Sequence, residues 1–585
     1  MLRQLISWRV QHLSTNKNLK ALINISVNNY HQHTNQTCII DEKKIYHSCR
    51  GELQGFIENM SLHEYVWKDV NKWWNKTAVI CSATERSYTY EELRKLSGRF
   101  ATSLRKLNIK SGESIAVVLP NIPEYIIILM GASEAGIPIT FINPAYNSKE
   151  IAHQLVTSRA VVVVTVPDKY SNVADSIKEK SLIRYPIIVI EDGSGQAPPG
   201  TINLKDLVDD SVVEFEKTGE KINIDTANDT VVLPFSSGTT GLPKAIELTH
   251  KNIVSNVCQS NQTAGSTKIY EPALGDYQEI VPMMLPAYHI YALTNVITNA
   301  LCHGGKLIAM PKPFTSNDLF DIFNKHRVTS FLLVPPILQL MTYDKRFTKK
   351  HIGNDMKITC GAAIVDNEVM TKFQDKFGDT NPFCQGYGMT EMSPVISFSV
   401  KSSPLGSVGH LVAGTSARIV GTCGDNYQKN LDINECGEIV VKGPQVMKGY
   451  LNNPKATEEI MDGEWLKTGD VGRFDKDGNL WITGRLKELI KVKGFQVAPA
   501  ELETILHEHE KILDVAVIGV PHERYGEIPK AFVVAKKNVQ IKEDDIKNYV
   551  AERVVDYKQL GHVVFVNEIP KSPIGKILRK KLYEM

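Results

Sequence analysis

Short runs of β-branched residues alternate with capped helices through the first half of this chain, and that alternation is the strongest constraint on its fold. Residues 114–119, 160–166 and 186–190 read as strands. Thr89 with Glu92 three residues on predicts a capping box opening a helix through Leu104. Asn147 with Glu150 predicts another after a strand over 137–142. Strands separated by helices form sheets with helices packed on them, so the expected class is α/β. Near Gly472 the texture changes: Asp475-Lys476-Asp477-Gly478-Asn479 supplies a hairpin turn between 471–474 and 480–483. A smaller α/β unit follows, with strands expected over 514–520 and 531–535 and helices near 500–507 and 543–554. The division is a large domain over 41–486 and a small one over 487–585.

Length and composition narrow the classes further. At 585 residues the chain exceeds any single small binding module. Lys and Arg number 67 against 65 Asp and Glu, a net charge of +2, too weak a field to draw in nucleic acid or acidic lipid. With 42% hydrophobic residues the chain can bury a large core. The most apolar stretch, 125–144, is broken by Glu134 and by glycine and proline, and reads as a buried helix followed by a strand. The nine cysteines are odd in number and form no Cys-x-x-Cys pair, so reduced thiols are expected, with no zinc site.

Residues 1–40 depart from this even texture. They contain Arg3, Arg9, Lys17 and Lys20, and the first acid is Asp41. Leu2, Leu5, Ile6, Val10 and Leu13 share one helical face, the pattern of a mitochondrial transit peptide. Trp8-Arg9 interrupts the apolar run that a secretory signal needs. The bland alternative is a disordered basic tail in a cytoplasmic protein. The closing Leu582-Tyr583-Glu584-Met585 is not the Ser-Lys-Leu peroxisomal address.

The segment Ser236-Ser237-Gly238-Thr239-Thr240-Gly241-Leu242-Pro243-Lys244 follows an apolar strand expected over 230–235. Glycines let such a loop wrap an anion, hydroxyls and main-chain N–H groups donate to it, and Lys244 adds a positive charge. It is a polyphosphate cradle or, more plainly, a polar surface loop. It is not a Walker A loop, because Pro243 precedes the lysine and Ala245 follows it.

This segment resembles the phosphate-loop signature of the adenylate-forming superfamily, which includes acyl-CoA synthetases, 4-coumarate–CoA ligases, beetle luciferases and peptide-synthetase adenylation domains. Further segments fall in that family's order. Gln385-Gly386-Tyr387-Gly388-Met389-Thr390-Glu391 is similar to the motif that sets an aromatic ring on adenine and a Thr/Glu pair at phosphates and magnesium. Residues 465–470, ending in Asp470, resemble the segment that binds the ribose hydroxyls. Residues 484–494 resemble the hinge, and 570–576 the loop of the catalytic lysine. The resemblance spans about 55–583, with a texture closest to the 4-coumarate–CoA ligase and luciferase branch.

It implies an α/β fold: a large N-terminal domain of helix-flanked β-sheets with a β-barrel-like part, and a small mobile α+β C-terminal domain. It implies an AMP-forming acid–thiol ligase using ATP, CoA and Mg2+ and acting on a medium-chain fatty or aromatic acid, with no nucleic-acid or obligate protein partner. Residues 236–244, Gly361, Ala362, Ala363, Gln385, Gly386, Tyr387, Gly388, Thr390, Asp470, Arg485 and Lys576 would bind ATP, with Glu391 toward the metal. Lys576, His289, Thr390 and Lys491 would serve catalysis, and His289, Tyr291 and Gly361 would line the acid pocket. Lys493 and Gly494 would meet CoA, and Lys487 would be the hinge. Two departures, Ala245 where relatives usually carry glycine and Ile364-Val365-Asp366 beside the acid pocket, leave the acid open. The competing readings are a luciferase-like monooxygenase and a catalytically inactive nucleotide- or acyl-binding homologue.

Overall fold

The computed structural model describes residues 39–53, 59–110, 112–178, 182–236, 243–262, 268–311, 315–352, 356–363, 365, 367–378, 383–422, 424–492, 495–537, 539–572 and 575–585. The address expected over 1–40 thus lies almost wholly outside the described residues.

Both expected capping boxes form. Thr89 N donates to Glu92 Oε2 at 2.7 Å and opens the Tyr90–Lys106 helix, while Asn147 N donates to Glu150 Oε2 at 2.9 Å ahead of Ser148–Thr157. The stretch 125–144 is a helix, Glu124–Glu134, buried along its whole length and followed by the strand Ile139–Phe141. Its two acids are paired: Glu124 with Arg86 at 2.6 Å and Glu134 with Arg94 at 2.9 Å. Unpaired, such buried charges would be strongly destabilising. Among the described residues no helix is long and apolar enough to cross a membrane, and the described cysteines are free thiols.

A nine-stranded sheet has a parallel centre formed by Thr230–Val232, Ile139–Phe141, Ser114–Val118 and Ala160–Thr165. The strand expected over 230–235 breaks in two, because Pro234 has no N–H to continue the ladder. Phe235–Ser236 instead pairs antiparallel with Lys244–Thr249, so the phosphate-type loop is the connection of a hairpin. A five-stranded sheet contains Ser330–Leu333, Lys357–Cys360 and Phe383–Gly388 in parallel, then Val395–Phe398 and His410–Leu411 antiparallel. A seven-stranded antiparallel sheet carries Trp465–Phe474 and Leu480–Arg485, the hairpin read from the sequence.

The small unit has its own sheet of Phe495–Val497, Ile490–Val492, Gly526–Ala535 and Ile512–His522, with His562–Phe565 alongside. Its long hairpin exceeds the expected strands because Pro521 and Pro529, which argue against a strand interior, are accommodated opposite Glu527 and Gly519. The helix expected over 543–554 ends earlier, at Glu543–Ala551. Buried apolar residues from Tyr46 to Leu480 form one cluster, and Ile490 to Val563 form another.

Candidate active site

The hairpin places Ser236 directly opposite Lys244. Ser237, Gly238, Thr239, Thr240, Gly241 and Leu242, between them, lie outside the described residues. Pro243 O is 3.2 Å from His153 Nε2, and Lys244 extends its ammonium over the Tyr450 ring, 5.0 Å from the centroid. Thr390 opens the 3-10 turn Thr390–Met392 directly after the Phe383–Gly388 strand, and Glu391 follows it into a buried position. Met447 N donates to Glu391 O at 2.9 Å. Ser236 Oγ and Tyr450 OH both donate to Glu391 Oε1, each at 2.9 Å. No described residue donates to Oε2, which leaves a hard oxygen of the kind Mg2+ takes alongside substrate phosphates. The residues present therefore fit that ion.

Glycine is obligatory at Gly388, where a Cβ would stand 2.0 Å from Pro394 O. Gln385 is turned inward: its main-chain N–H donates to Ser399 Oγ and its carboxamide reaches Ser407 O at 3.4 Å, so its side chain stays away from the cluster. Tyr387 OH donates to Asp470 Oδ2 at 2.8 Å, and Arg485 Nε lies 3.1 Å from Asp470 Oδ1. Burial raises the Asp470 carboxyl pKa, against the pull of Arg485, Tyr387 and Lys576.

Gly361 is the floor of a narrow gap. A Cβ there would lie 3.3 Å from Gly386 O and 3.5 Å from the Tyr291 ring, whose hydroxyl donates to Thr359 O at 3.2 Å. Ala362, next to it, has φ +74, and Ala363 is half-buried. His289 closes this side, with Nδ1 buried and without a partner among the described residues. Burial, then the Lys576 charge, pushes its pKa down to about 4, so the imidazole is neutral at physiological pH.

Lys576 reaches this cluster from the small unit. Its loop is a tight reversal: Ser572 N donates to Lys576 O at 2.8 Å, Lys576 N to Ser572 Oγ at 3.1 Å, and Leu578 N to Pro570 O at 2.8 Å. Gly575 holds φ +79 there and abuts Pro336 of the large domain so closely that a Cβ would sit 2.7 Å from its ring. Lys576 is exposed, as expected at a cleft open to solvent rather than in a core. Desolvation, then Arg485, lowers its pKa; Asp470, Glu391 and Glu488 oppose the fall.

The structure thus gathers Ser236, Lys244, Tyr387, Glu391, Asp470, Arg485, His289 and Lys576 about one cleft. Lys491 is not among them: it lies exposed on the Ile490–Val492 strand. Lys487 sits in the 3-10 turn Leu486–Glu488, and Lys493 and Gly494 lie outside the described residues. Two residues escaped sequence reasoning. Tyr450 looks like an ordinary aromatic after Gly449. Asn121 looks like a turn residue, yet its Nδ2 donates to Met283 O and Leu285 O, and its Oδ1 accepts from Ala287 N at 2.9 Å, fixing the segment that leads to His289.

Residues 66–451 match the family model described as AMP-binding enzyme, and 501–576 match the AMP-binding enzyme C-terminal domain. The 4-coumarate–CoA ligase 1 of Arabidopsis thaliana is 36% identical over 536 residues, covering 90% of this chain and 92% of that protein. A 4-coumarate–CoA ligase of Pinus taeda is 37% identical over 552 residues, covering 92% and 98%. The crystal structure of ATP-bound MatB from Rhodopseudomonas palustris matches with a TM-score of 0.78 at 26% identity, covering 90% and 99%. The chain belongs to the AMP-binding enzyme family, within the adenylate-forming superfamily, and its class is that of the AMP-forming acid–thiol ligases.

Proposed function

We propose that this enzyme joins a carboxylic acid, aromatic or medium-chain aliphatic, to CoA through an acyl-adenylate. The observation that supports the reading is that the Lys576 charge lies near enough to His289, Asp470 and Glu391 to interact with all three. A carboxylate and ATP repel each other, so the site must first offset their charge. Lys244 and the hydroxyls of the 236–244 loop hold the β- and γ-phosphates, with Thr390 beside them. Asp470 accepts the ribose hydroxyls, Arg485 braces it, and Tyr387 with the main chain at 386–388 faces adenine. Mg2+ bound at Glu391 supplies further neutralisation of phosphate charge. The acid lies along Gly361 and Tyr291. Its oxygen attacks the α-phosphorus, the bond to pyrophosphate breaks, and Lys576 stabilises the charge shared by the two reactants.

In the second half-reaction the CoA thiol attacks the acyl carbonyl, the bond to AMP breaks, and the thiol proton passes to solvent. A cation that favoured adenylation is misplaced once AMP must leave. Rotation about Lys487 therefore withdraws Lys576 and presents Lys491 with the Lys493-Gly494 segment to CoA. Pyrophosphate release measured across acids of graded length and aromaticity, with and without CoA, tests the reading. Acid-dependent release with acyl-CoA formation is expected. No release with any acid from folded enzyme refutes it, and light emission with oxygen would favour the monooxygenase reading.

Residues 1–40 are proposed to direct the enzyme to the mitochondrial matrix, on their basic, acid-free amphipathic pattern. A reporter carrying these residues should colocalise with mitochondria, and a diffuse cytosolic signal would refute the address.

A further inference from the structure

Tyr450 belongs to the short strand Gly449–Tyr450, which pairs with Lys244–Thr249 so that Tyr450 faces Ile246. Residues two apart on a strand share a face, so Lys244 lies diagonally across from the tyrosine and its ammonium comes to rest over the ring. The hydroxyl at the far end of the same ring donates to Glu391 Oε1. Ser236, opposite Lys244 in the hairpin, donates to that same oxygen. The helix Pro454–Ile460 that follows holds Tyr450 in turn: Thr457 Oγ1 accepts from the Tyr450 N–H at 2.9 Å. One buried side chain thus touches both the cation and the anion of the phosphate site.

We propose that Tyr450 is a positioning residue that fixes Glu391 through its hydroxyl and Lys244 through its ring, so that metal and phosphate are received in one preset geometry. With two donors on Oε1, the carboxylate cannot swivel, and Oε2 is left for the metal. Partners of this kind behind a metal ligand are typically worth roughly 10–100-fold in metal affinity. Hydroxyl and ring act on different partners, so they are separable by substitution.

This inference rests on the ligase reading for its purpose, but its test needs no acid. ATP binding is measured by calorimetry on the full chain across a Mg2+ series and in EDTA. Tyr450→Phe keeps the ring: about tenfold more Mg2+ should be needed for half-maximal ATP binding, with affinity in EDTA unchanged. Tyr450→Leu should show the same Mg2+ shift and also bind ATP more weakly in EDTA. Ser236→Ala removes the other donor to Oε1 and should shift the Mg2+ series in the same direction, which keeps the test available should a tyrosine variant not fold. A Tyr450→Phe series that overlays wild type overturns the proposal, as does equal loss in EDTA by the Phe and Leu variants; with no folded tyrosine variant, an unshifted Ser236→Ala overturns it. Wild-type enzyme that binds Mg-ATP but adenylates no acid refutes the ligase reading and leaves this one standing.

Discussion

Asp470 and Arg485 are direct cross-strand partners at the end of the ladder between Trp465–Phe474 and Leu480–Arg485, and their side chains form an ion pair at 3.1 Å. The residue read as the ribose clamp is therefore braced by the last residue before the Leu486–Glu488 turn. Asp470 is buried while Arg485 is partly open to solvent, so the pair contributes less than a fully buried one. Asp470→Ala leaves the Tyr387 hydroxyl without its acceptor as well. It should raise the KM for ATP at least tenfold and lower the melting temperature, with the KM for the acid little changed. Steady-state kinetics with each substrate varied, alongside thermal melts, check this.

Lys576→Ala should lose adenylation by several orders of magnitude and still form thioester from a supplied acyl-adenylate. Lys491→Ala should do the reverse. Single-turnover assays of the two half-reactions read this directly, and equal loss of both by either variant would contradict the division of labour.

The pH dependence follows from two displaced pKa values. Lys576 has its pKa lowered from the usual lysine value, so its charge, and adenylation with it, is present at low pH and lost as pH rises through that lowered value. Lys576→Arg should be slower but lack this alkaline limb, because guanidinium stays charged. His289, displaced to about 4, remains neutral through the ordinary range, so adenylation should show no His289 limb near pH 6.5. Pre-steady-state adenylation rates from pH 5 to 10 test both.

A second effect of pH concerns stability rather than chemistry. His250 Nδ1 accepts a hydrogen bond from Leu62 N at 3.0 Å, which requires an unprotonated nitrogen. Burial lowers both His250 and the neighbouring His63 to about 3, with His63 as a second cause for His250 and Arg94 as a second cause for His63. Folded values below the unfolded ones mean that this stability is present above about pH 6.5 and is lost as pH falls toward 3. The melting temperature should drop across that window, and His63→Gln should flatten the drop.

Gly361→Ala should raise the KM for bulky acids severalfold and spare the KM for ATP, because the added methyl meets the Tyr291 ring and hydroxyl at 3.5–3.6 Å and presses on the main-chain Gly386 O at 3.3 Å, which must shift slightly to admit it. A screen of acids against this variant, with preference moving toward slimmer ones, is the measure.

Which parts were legible depends on how far each relationship reaches along the chain. Thr89 with Glu92 and Asn147 with Glu150 were readable because a capping box is complete within four residues. The Asp475–Asn479 turn was readable for the same reason. The break at Pro234 was missed because apolar neighbours outweighed one missing donor, and the length of the 512–535 hairpin was masked by its two prolines. The motif resemblance marked Lys244, Glu391, Asp470 and Lys576, but not that Tyr450 links the first two. That link depends on a strand more than 200 residues from the loop along the chain, and local pattern carries no trace of it.

Arg579, three residues beyond Lys576, grips Glu488 in the Leu486–Glu488 turn at 2.7 Å and Glu503 in the following helix at 2.6 Å. The segment after Lys576 is thereby clamped to the turn proposed as the pivot. A turn at Lys487 would sweep Lys576 along an arc of constant radius, like the tip of a lever, so one bond's torsion could set the whole timetable of the two reactions.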